Sequence, residues 1–167
     1  LGPVLEDTWV VGRLPVAFAR ESRFARGTAS KCAWFSPMTE ISPRLRVLVV
    51  EDESLIRWSI AETLGHAGHT VIEAENGAAA VRALTNSVEA VDVVMLDYRL
   101  PDSNDLTLLA AIRRLSPSSG VILMTAHGTP EVTKGALDLG AYQVMHKPFE
   151  LHDLEPLLLK TFASSRP

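Results

Sequence analysis

Val47-Leu48-Val49-Val50-Glu51-Asp52 is an apolar run that ends in two acids, a pattern typical of a buried parallel strand followed by polar groups. Three later runs end in the same manner, with an acid, a hydroxyl or a lysine: Val93–Asp97, Val121–Thr125 and Val144–Pro148. In an open parallel sheet, residues just beyond the carboxyl ends of neighbouring strands converge on one crevice. The four runs therefore predict a pocket that contains three carboxylates, a threonine and a lysine.

From Arg46 onward, short apolar runs alternate with segments that have the 3.6-residue period of amphipathic helices. Because this pattern repeats five times in about 120 residues, it favours parallel strands joined by right-handed helical crossovers. We therefore predict an α/β fold with a doubly wound, five-stranded parallel sheet in the order 2-1-3-4-5. The predicted strands cover 47–50, 70–74, 91–96, 121–124 and 142–145, and the helices 54–67, 77–84, 108–115, 130–139 and 151–162.

Several polar and aromatic residues are expected to have structural roles. Ser54 is the predicted N-cap of the first helix, and Leu55 is expected to belong to the inward-facing stripe of that helix. Trp58, on the same helix, is expected to pack rather than to stack on a ligand. The segment 102–104 is predicted to form a polar turn.

The composition limits the classes of protein to which the chain can belong. With 167 residues and 47% apolar content, the chain can bury one compact core but not two full domains. The net charge of −4 argues against a dominant nucleic-acid surface, since duplex binding normally requires clustered lysine and arginine. No apolar stretch reaches the roughly 20 residues that cross a bilayer. Together with the single cysteine, Cys32, these features favour a cytoplasmic location.

Residues 1–43 differ from the rest of the chain, because they hold only short apolar clusters without a sustained period of 2 or 3.6. The predicted organisation is a poorly structured extension over 1–43, a folded domain over 44–164 and a tail over 165–167. Glu6 and Asp7 argue against a signal peptide, while an arginine-rich transit segment stays an alternative. A further hypothesis is that residues 1–37 are upstream or non-native sequence and that Met38 is the functional start.

The chemistry of the predicted pocket points to a cation and a phosphoryl group. Three carboxylates within a few ångströms of one another would either take up protons or bind a cation. Oxygen ligands select a hard ion, and a water-rich site that also takes a phosphate oxygen is typical of Mg²⁺. With the metal on one side, Lys147 on the other and the hydroxyl of Thr125 as a further donor, a carboxylate can attack phosphorus. We therefore predict transfer of a phosphoryl group onto Asp97.

The chain from Arg46 to about Ala163 resembles the receiver domain of two-component response regulators, of the single-domain type. Four motifs carry the resemblance in the family's order and spacing: VVEDE at 49–53, LDYRLPD at 96–102, MTA at 124–126 and KPF at 147–149. The resemblance implies a flavodoxin-like (βα)₅ fold and a Mg²⁺-dependent phosphoacceptor. It also implies a sensor histidine kinase or a histidine phosphotransfer protein as the phosphoryl donor.

The resemblance assigns the metal ligands residue by residue. Asp97 would be the phosphoacceptor, and Asp52 and Asp97 would bind Mg²⁺ directly. Glu51 would join through a water molecule, and the backbone carbonyl of Arg99 would complete the protein ligands. No other cofactor is implied.

The resemblance also assigns the phosphoryl contacts and an output switch. Thr125 and Lys147 would contact the phosphoryl group, and the Lys147-Pro148 peptide bond is expected to be cis. In the family, an aromatic residue three positions before the lysine follows the threonine inward and reshapes the surface of helix 4, strand 5 and helix 5. Here that position holds Val144, and Tyr142 lies two residues earlier on the same side of the strand by its period of 2. The usual aromatic switch is therefore missing in its usual form.

Two other functions stay open at this point. An aspartate-nucleophile phosphatase would normally carry a second acid two residues after the nucleophile, and here Arg99 stands in that place. A receiver-like interaction module that never takes phosphate is disfavoured by the complete set of acids, threonine and lysine. On the preferred interpretation the chain is not an enzyme beyond its own phosphorylation and slow dephosphorylation.

The expected output is a contact with a downstream target protein, or with a second copy of the chain. We expect no direct binding to nucleic acid and no insertion into a membrane. If the sequence is a piece of a longer protein, an output domain is expected in the missing part.

Overall fold

The computed structural model describes residues 42–166 of the chain, so that most of the predicted extension lies outside the described residues. Strands and α-helices alternate as the sequence predicts, and none of the helices in 42–166 is long and apolar enough to cross a membrane. The strands are β1 (Arg46–Val50), β2 (Thr70–Ala74), β3 (Val93–Asp97), β4 (Gly120–Thr125) and β5 (Gln143–His146). The helices are α1 (Ser54–His66), α2 (Gly77–Asn86), α3 (Thr107–Leu115), α4 (Pro130–Asp138) and α5 (Leu154–Ser165), with a 3₁₀ turn at Leu151–Asp153 before α5.

The five strands form one parallel sheet in the order β2-β1-β3-β4-β5. The predicted fold class and strand order are therefore confirmed. Every residue of β3 and β4 is buried, because these central strands are covered by helices on both faces. The strand order reverses between β1 and β3, because β2 lies on one side of β1 and the later strands lie on the other. The carboxyl ends of β1 and β3 therefore flank the crevice of the sheet.

Each face of the sheet has its own apolar core, since successive side chains of a strand point to opposite faces. Leu48 and Val50 of β1 belong to the core under α2, α3 and α4, where the buried residues include Leu109 and Ile112. Val47 and Val49 belong to the other core, which α1 and α5 cover. Ile60, Leu64, Leu154 and Leu158 supply the helical side of that second core.

The first helix differs from its prediction in three residues. Ser54 is the first helical residue rather than the N-cap, and Glu53 takes the cap position without a side-chain hydrogen bond. Leu55 is 72% exposed and Trp58 is 57% exposed, so neither packs as expected. The reason is the helical period: Ile60 and Leu64 point at the sheet, and steps of about 100° per residue turn positions 55 and 58 away from it.

The two central strands extend one residue further than predicted at their carboxyl ends. Asp97 is the last residue of β3, paired in register with Met124, and Thr125 is the last residue of β4, paired with His146. Both polar residues are therefore held by the sheet itself and not by a free loop.

Candidate functional site

The carboxyl edge of the sheet brings residues from four elements together. Asp97 and Thr125 end their strands, while Glu51 and Lys147 directly follow β1 and β5. Backbone hydrogen bonds continue past the strand ends: the Glu51 N–H donates to Ala74 at 3.0 Å, and the Lys147 N–H donates to Thr125 at 2.8 Å. The backbone that carries these side chains into one crevice is therefore held by the sheet.

Three carboxylates form the acidic part of the site. One oxygen from each of Glu51, Asp52 and Asp97 can be chosen so that all lie within 4.8 Å of one another. Glu51 is completely buried and Asp97 is 7% exposed, whereas Asp52 is exposed at the mouth of the crevice. The site therefore opens to solvent on the side of Asp52.

Lys147 forms ion pairs with both buried acids. Its Nζ lies 2.5 Å from Glu51 Oε2 and 3.0 Å from Asp97 Oδ1, and its side chain is only 13% exposed. One lysine balances one of the three neighbouring acids. The ionised cluster therefore keeps a net negative charge that a cation can neutralise.

The pKa values within the cluster are shifted by burial and by these ion pairs. Burial raises the pKa of Glu51 and of Asp97, and the hydrogen bonds from Lys147 oppose this without cancelling it. The neighbouring charge of Asp52 raises the pKa of Asp97 further, and the backbone N–H of Arg99 lowers it. Burial lowers the pKa of Lys147, but its hydrogen bonds to Glu51 and Asp97 outweigh burial and leave that pKa raised. Lys147 is therefore a protonated donor at neutral pH.

The donor set fits a hard divalent cation. Glu51 Oε1 is buried and has no hydrogen-bond partner among residues 42–166, which leaves an oxygen free for a metal or its water. A cavity of about 530 Å³ beside the cluster is lined by Asp52, which follows β1, and by residues of the loop after β3 that include Arg99 and Asn104. Arg99, whose backbone carbonyl the resemblance assigns as a metal ligand, thus lies in the wall of this cavity.

Thr125 is 2% exposed, and its Oγ1 accepts a 3.2 Å hydrogen bond from the backbone N–H of His127. Because the hydroxyl acts as the acceptor in that bond, its own hydrogen stays available for a further acceptor. The Lys147-Pro148 peptide bond is cis, as the resemblance implies.

The two predicted switch residues lie in different environments. Val144 is half-buried in β5 and packs against the apolar core under α2, α3 and α4. Tyr142 precedes β5 and is 38% exposed. Their part in signal output stays a prediction.

Two residues near the site hold loops to neighbouring elements, a role that the sequence did not predict for either of them. Arg57 in α1 donates from Nη1 to the carbonyl of Glu51 at 2.6 Å and pairs with Glu73 at 3.3 Å, so it braces the β1–α1 loop. Asp102, expected only in a polar turn, accepts hydrogen bonds from the backbone of Gly77 and Ala78 at the start of α2. No local pattern marks either residue, because the partners lie in other parts of the chain.

An apolar surface adjoins the site on the side of α1. A second cavity of about 530 Å³ lies next to Lys147, and its walls include Ile56, Phe149 and the exposed Leu55 and Leu151. An exposed apolar surface beside a charged crevice is suited to contact with another protein.

Comparison with known proteins identifies one family. The family model described as the response regulator receiver domain matches residues 47–158. The DNA-binding transcriptional regulator NtrC of Escherichia coli (strain K12) is 37% identical over 112 residues, which cover 67% of this chain and 24% of NtrC. The chain thus spans about a quarter of the length of this relative.

Solved structures give the same result for the fold. A CheY-like response regulator receiver domain protein from Methanospirillum hungatei JF-1 has a TM-score of 0.69 at 24% identity, covering 74% of this chain and 97% of that chain. NtrX from Brucella abortus has a TM-score of 0.67 at 30% identity, covering 74% of this chain and 28% of that chain.

Proposed function

The chain belongs to the response regulator receiver domain family, and on that premise we propose that it is a Mg²⁺-dependent phosphoacceptor switch of a two-component system. Asp97 accepts a phosphoryl group from a histidine kinase or a histidine phosphotransfer protein. One observation carries the proposal: the buried Asp97 carboxylate lies 3.0 Å from the Lys147 ammonium and within 4.8 Å of two further carboxylates.

In the proposed reaction, an oxygen of Asp97 forms a bond to phosphorus while the bond from phosphorus to the donor's imidazole nitrogen breaks. The electron pair of the broken bond stays on that nitrogen, and the product is an acyl phosphate on Asp97. Mg²⁺ held by Glu51, Asp52, Asp97 and the carbonyl of Arg99 would neutralise charge on the transferring group.

In this proposal, Lys147 and Thr125 donate hydrogen bonds to the phosphoryl oxygens. The raised pKa of Lys147 keeps its Nζ protonated, so the ammonium can follow charge from the carboxylate to a phosphoryl oxygen. The Thr125 hydroxyl donates its hydrogen to another phosphoryl oxygen, because its present bond uses it only as an acceptor. Thr125 is buried and the Lys147 side chain is only 13% exposed, so both groups would need little reorganisation when the phosphoryl group arrives.

The experiment is incubation of the chain with Mg²⁺ and acetyl phosphate, followed by intact mass. We expect one phosphoryl group per chain that hydroxylamine releases, as for an acyl phosphate. Asp97→Asn, which keeps the side-chain shape, should lose the label, while Asp138→Asn, an exposed acid on α4, should keep it. Labelling that persists in Asp97→Asn contradicts the proposal.

The same experiment separates the rival functions. An aspartate-nucleophile phosphatase would release phosphate over many turnovers without a stable adduct. A module that works without phosphate would show no adduct and no release.

We also propose that the histidine-containing donor docks on the apolar surface beside Lys147. Leu55, 72% exposed there, offers a sharp test because its loss leaves the buried core unchanged. Leu55→Lys should slow labelling by a phosphorylated histidine kinase that labels the wild-type chain, while labelling by acetyl phosphate stays the same. Leu137→Lys, also exposed but on α4, is the matched control. Equal transfer to all three chains would contradict this docking site.

For output, we propose contact with a target protein through α4, β5 and α5. The half-buried Val144 and the exposed Tyr142 would take part in the change of that surface. Replacing Val144 by Tyr should change the affinity for a phosphorylation-dependent partner, and an unchanged affinity would exclude Val144 from the switch.

A further inference from the structure

Asp102 joins two segments that are separate in the sequence. Its Oδ1 accepts a 2.8 Å hydrogen bond from the Gly77 N–H, and its Oδ2 accepts a 2.9 Å hydrogen bond from the Ala78 N–H. Asn76 caps the same helix end by accepting from the Ala79 N–H at 2.8 Å. Because Asn76 already caps the beginning of α2, the hydrogen bonds of Asp102 do more than cap this helix.

The loop around Asp102 is a tight turn. Leu100 and Ser103 exchange both backbone hydrogen bonds, with the Leu100 N–H donating at 2.7 Å and the Ser103 N–H donating at 3.2 Å. Arg99 immediately precedes this turn and lies two residues after Asp97, the last residue of β3. A rigid turn clamped to α2 on one side leaves Arg99 little freedom to move its carbonyl.

Gly77 is shaped to accept the Asp102 carboxylate. A Cβ on Gly77 would lie 3.2 Å from Asp102 Oδ1 and 2.9 Å from Leu108 Cδ2, so any larger residue would press on both. The Gly77 N–H lowers the pKa of Asp102, which keeps its carboxylate charged at neutral pH. Gly77 and Asp102 thus form a matched pair, although Asp102 itself lies outside the acidic cluster.

We infer that Asp102 is a positioning residue for the cation site, acting through the Leu100–Ser103 turn to hold the backbone carbonyl of Arg99 in place. This inference rests on the proposed function, in which that carbonyl is a Mg²⁺ ligand. Residues that orient metal ligands from outside typically change metal affinity by about 10- to 100-fold when they are replaced. The effect belongs to cation binding and not to the reactivity of Asp97.

The test is Asp102→Asn, which is nearly isosteric but turns an amide N–H₂ toward at least one of the two backbone donors. Mg²⁺ is titrated into the full chain, and the amide resonances of Asp97 and Arg99 report its binding. We expect half-saturation at about tenfold higher Mg²⁺ than in the wild type. With acetyl phosphate, the Mg²⁺ concentration for half-maximal labelling should rise equally, while the rate at saturating Mg²⁺ stays unchanged.

Two further variants guard against a general loss of structure. Gly77→Ala places a Cβ against the same carboxylate from the helix side and should also weaken Mg²⁺ binding. Asp105→Asn is the matched control, because Asp105 is an exposed acid of the same loop whose hydrogen bonds within residues 42–166 come from Thr107 alone, from its backbone N–H at 2.9 Å and its hydroxyl at 2.5 Å. It should bind Mg²⁺ like the wild type.

The outcomes separate this inference from the proposed function. If the wild-type chain binds Mg²⁺ and Asp102→Asn binds it within about twofold, the inference is overturned and the phosphoacceptor proposal stands. A lower labelling rate at saturating Mg²⁺ with an unchanged Mg²⁺ dependence also overturns it, since that result indicates a role unrelated to the cation. If the wild-type resonances do not respond to Mg²⁺ at all, the proposed function fails and the inference with it.

Discussion

Lys147→Met removes the positive charge of the site while keeping a long, unbranched side chain. The lysine Nζ lies 2.5 Å from Glu51 Oε2 and 3.0 Å from Asp97 Oδ1. Glu51 is completely buried and Asp97 is 7% exposed, so the substitution leaves two nearly buried carboxylates without their counter-charge. Asp52, within 4.8 Å of both, adds repulsion.

We expect the free energy of unfolding to fall by about 3 kcal/mol near pH 7.5, the low end of the range for breaking a buried ion pair. The low end applies because burial already raises the pKa of Glu51 and Asp97, so that proton uptake relieves part of the repulsion. Without Lys147 these folded-state pKa values rise further above their unfolded values. An acid whose pKa is higher in the folded state contributes its full stability below its unfolded pKa, and this contribution is lost as pH rises through its folded pKa. The deficit of the variant should therefore shrink as the pH is lowered toward about 5.

The assay is urea unfolding of both chains across this pH range, with and without Mg²⁺. Mg²⁺ at about 100 times its dissociation constant should stabilise either chain by about 2.7 kcal/mol, and the variant should reach half of this effect at lower Mg²⁺. Lys160→Met, on the exposed side of α5, is the control and should change stability by less than about 0.5 kcal/mol. A Lys147→Met loss no larger than that of the control, or one independent of pH, would refute the reasoning.

Three further predictions concern the fold. Burial lowers the pKa of His69, so the stability that neutral His69 contributes is present above its unfolded pKa of about 6.5 and is lost as pH falls toward the folded pKa. In urea unfolding, His69→Gln should therefore lose less stability than the wild type between about pH 7.5 and 5.5. Equal losses in the two chains would count against this prediction. Leu64→Ala, in the core under α1, should cost about 2 to 5 kcal/mol in the same assay, while Leu55→Ala at a 72% exposed position should cost less than about 0.5 kcal/mol; similar costs would contradict the assigned helix face. Gly120→Ala would drive a Cβ into Thr161 of α5 and should lower the thermal midpoint clearly, whereas Gly65→Ala, with open space around it, should not.

The predicted elements lie close to the observed ones because each depends on residues near one another in the chain. The fully buried runs of β3 and β4 and the stripe Ile60–Leu64 are readable from spacing alone. At Ser54 the prediction missed the start of the helix by one residue, whereas at Leu55 and Trp58 it failed because the exact phase of α1 against the sheet decided their exposure. That phase depends on packing, which the chain's local pattern does not contain.

The residues that end the strands could also be expected to meet, since parallel strands of known order bring their carboxyl ends to one edge. Residue types and spacing thus sufficed for an α/β sheet whose crevice gathers acids, a threonine and a lysine. How these groups share charge is a property of the folded chain: the Lys147–Glu51 contact joins residues 96 positions apart, and the Asp102–Gly77 contact joins residues 25 apart. Such contacts form between elements whose separation and rotation are set by core packing on both faces of the sheet. Local sequence carries the identity of the groups, and only the packed fold gives them their distances, burial and pKa shifts.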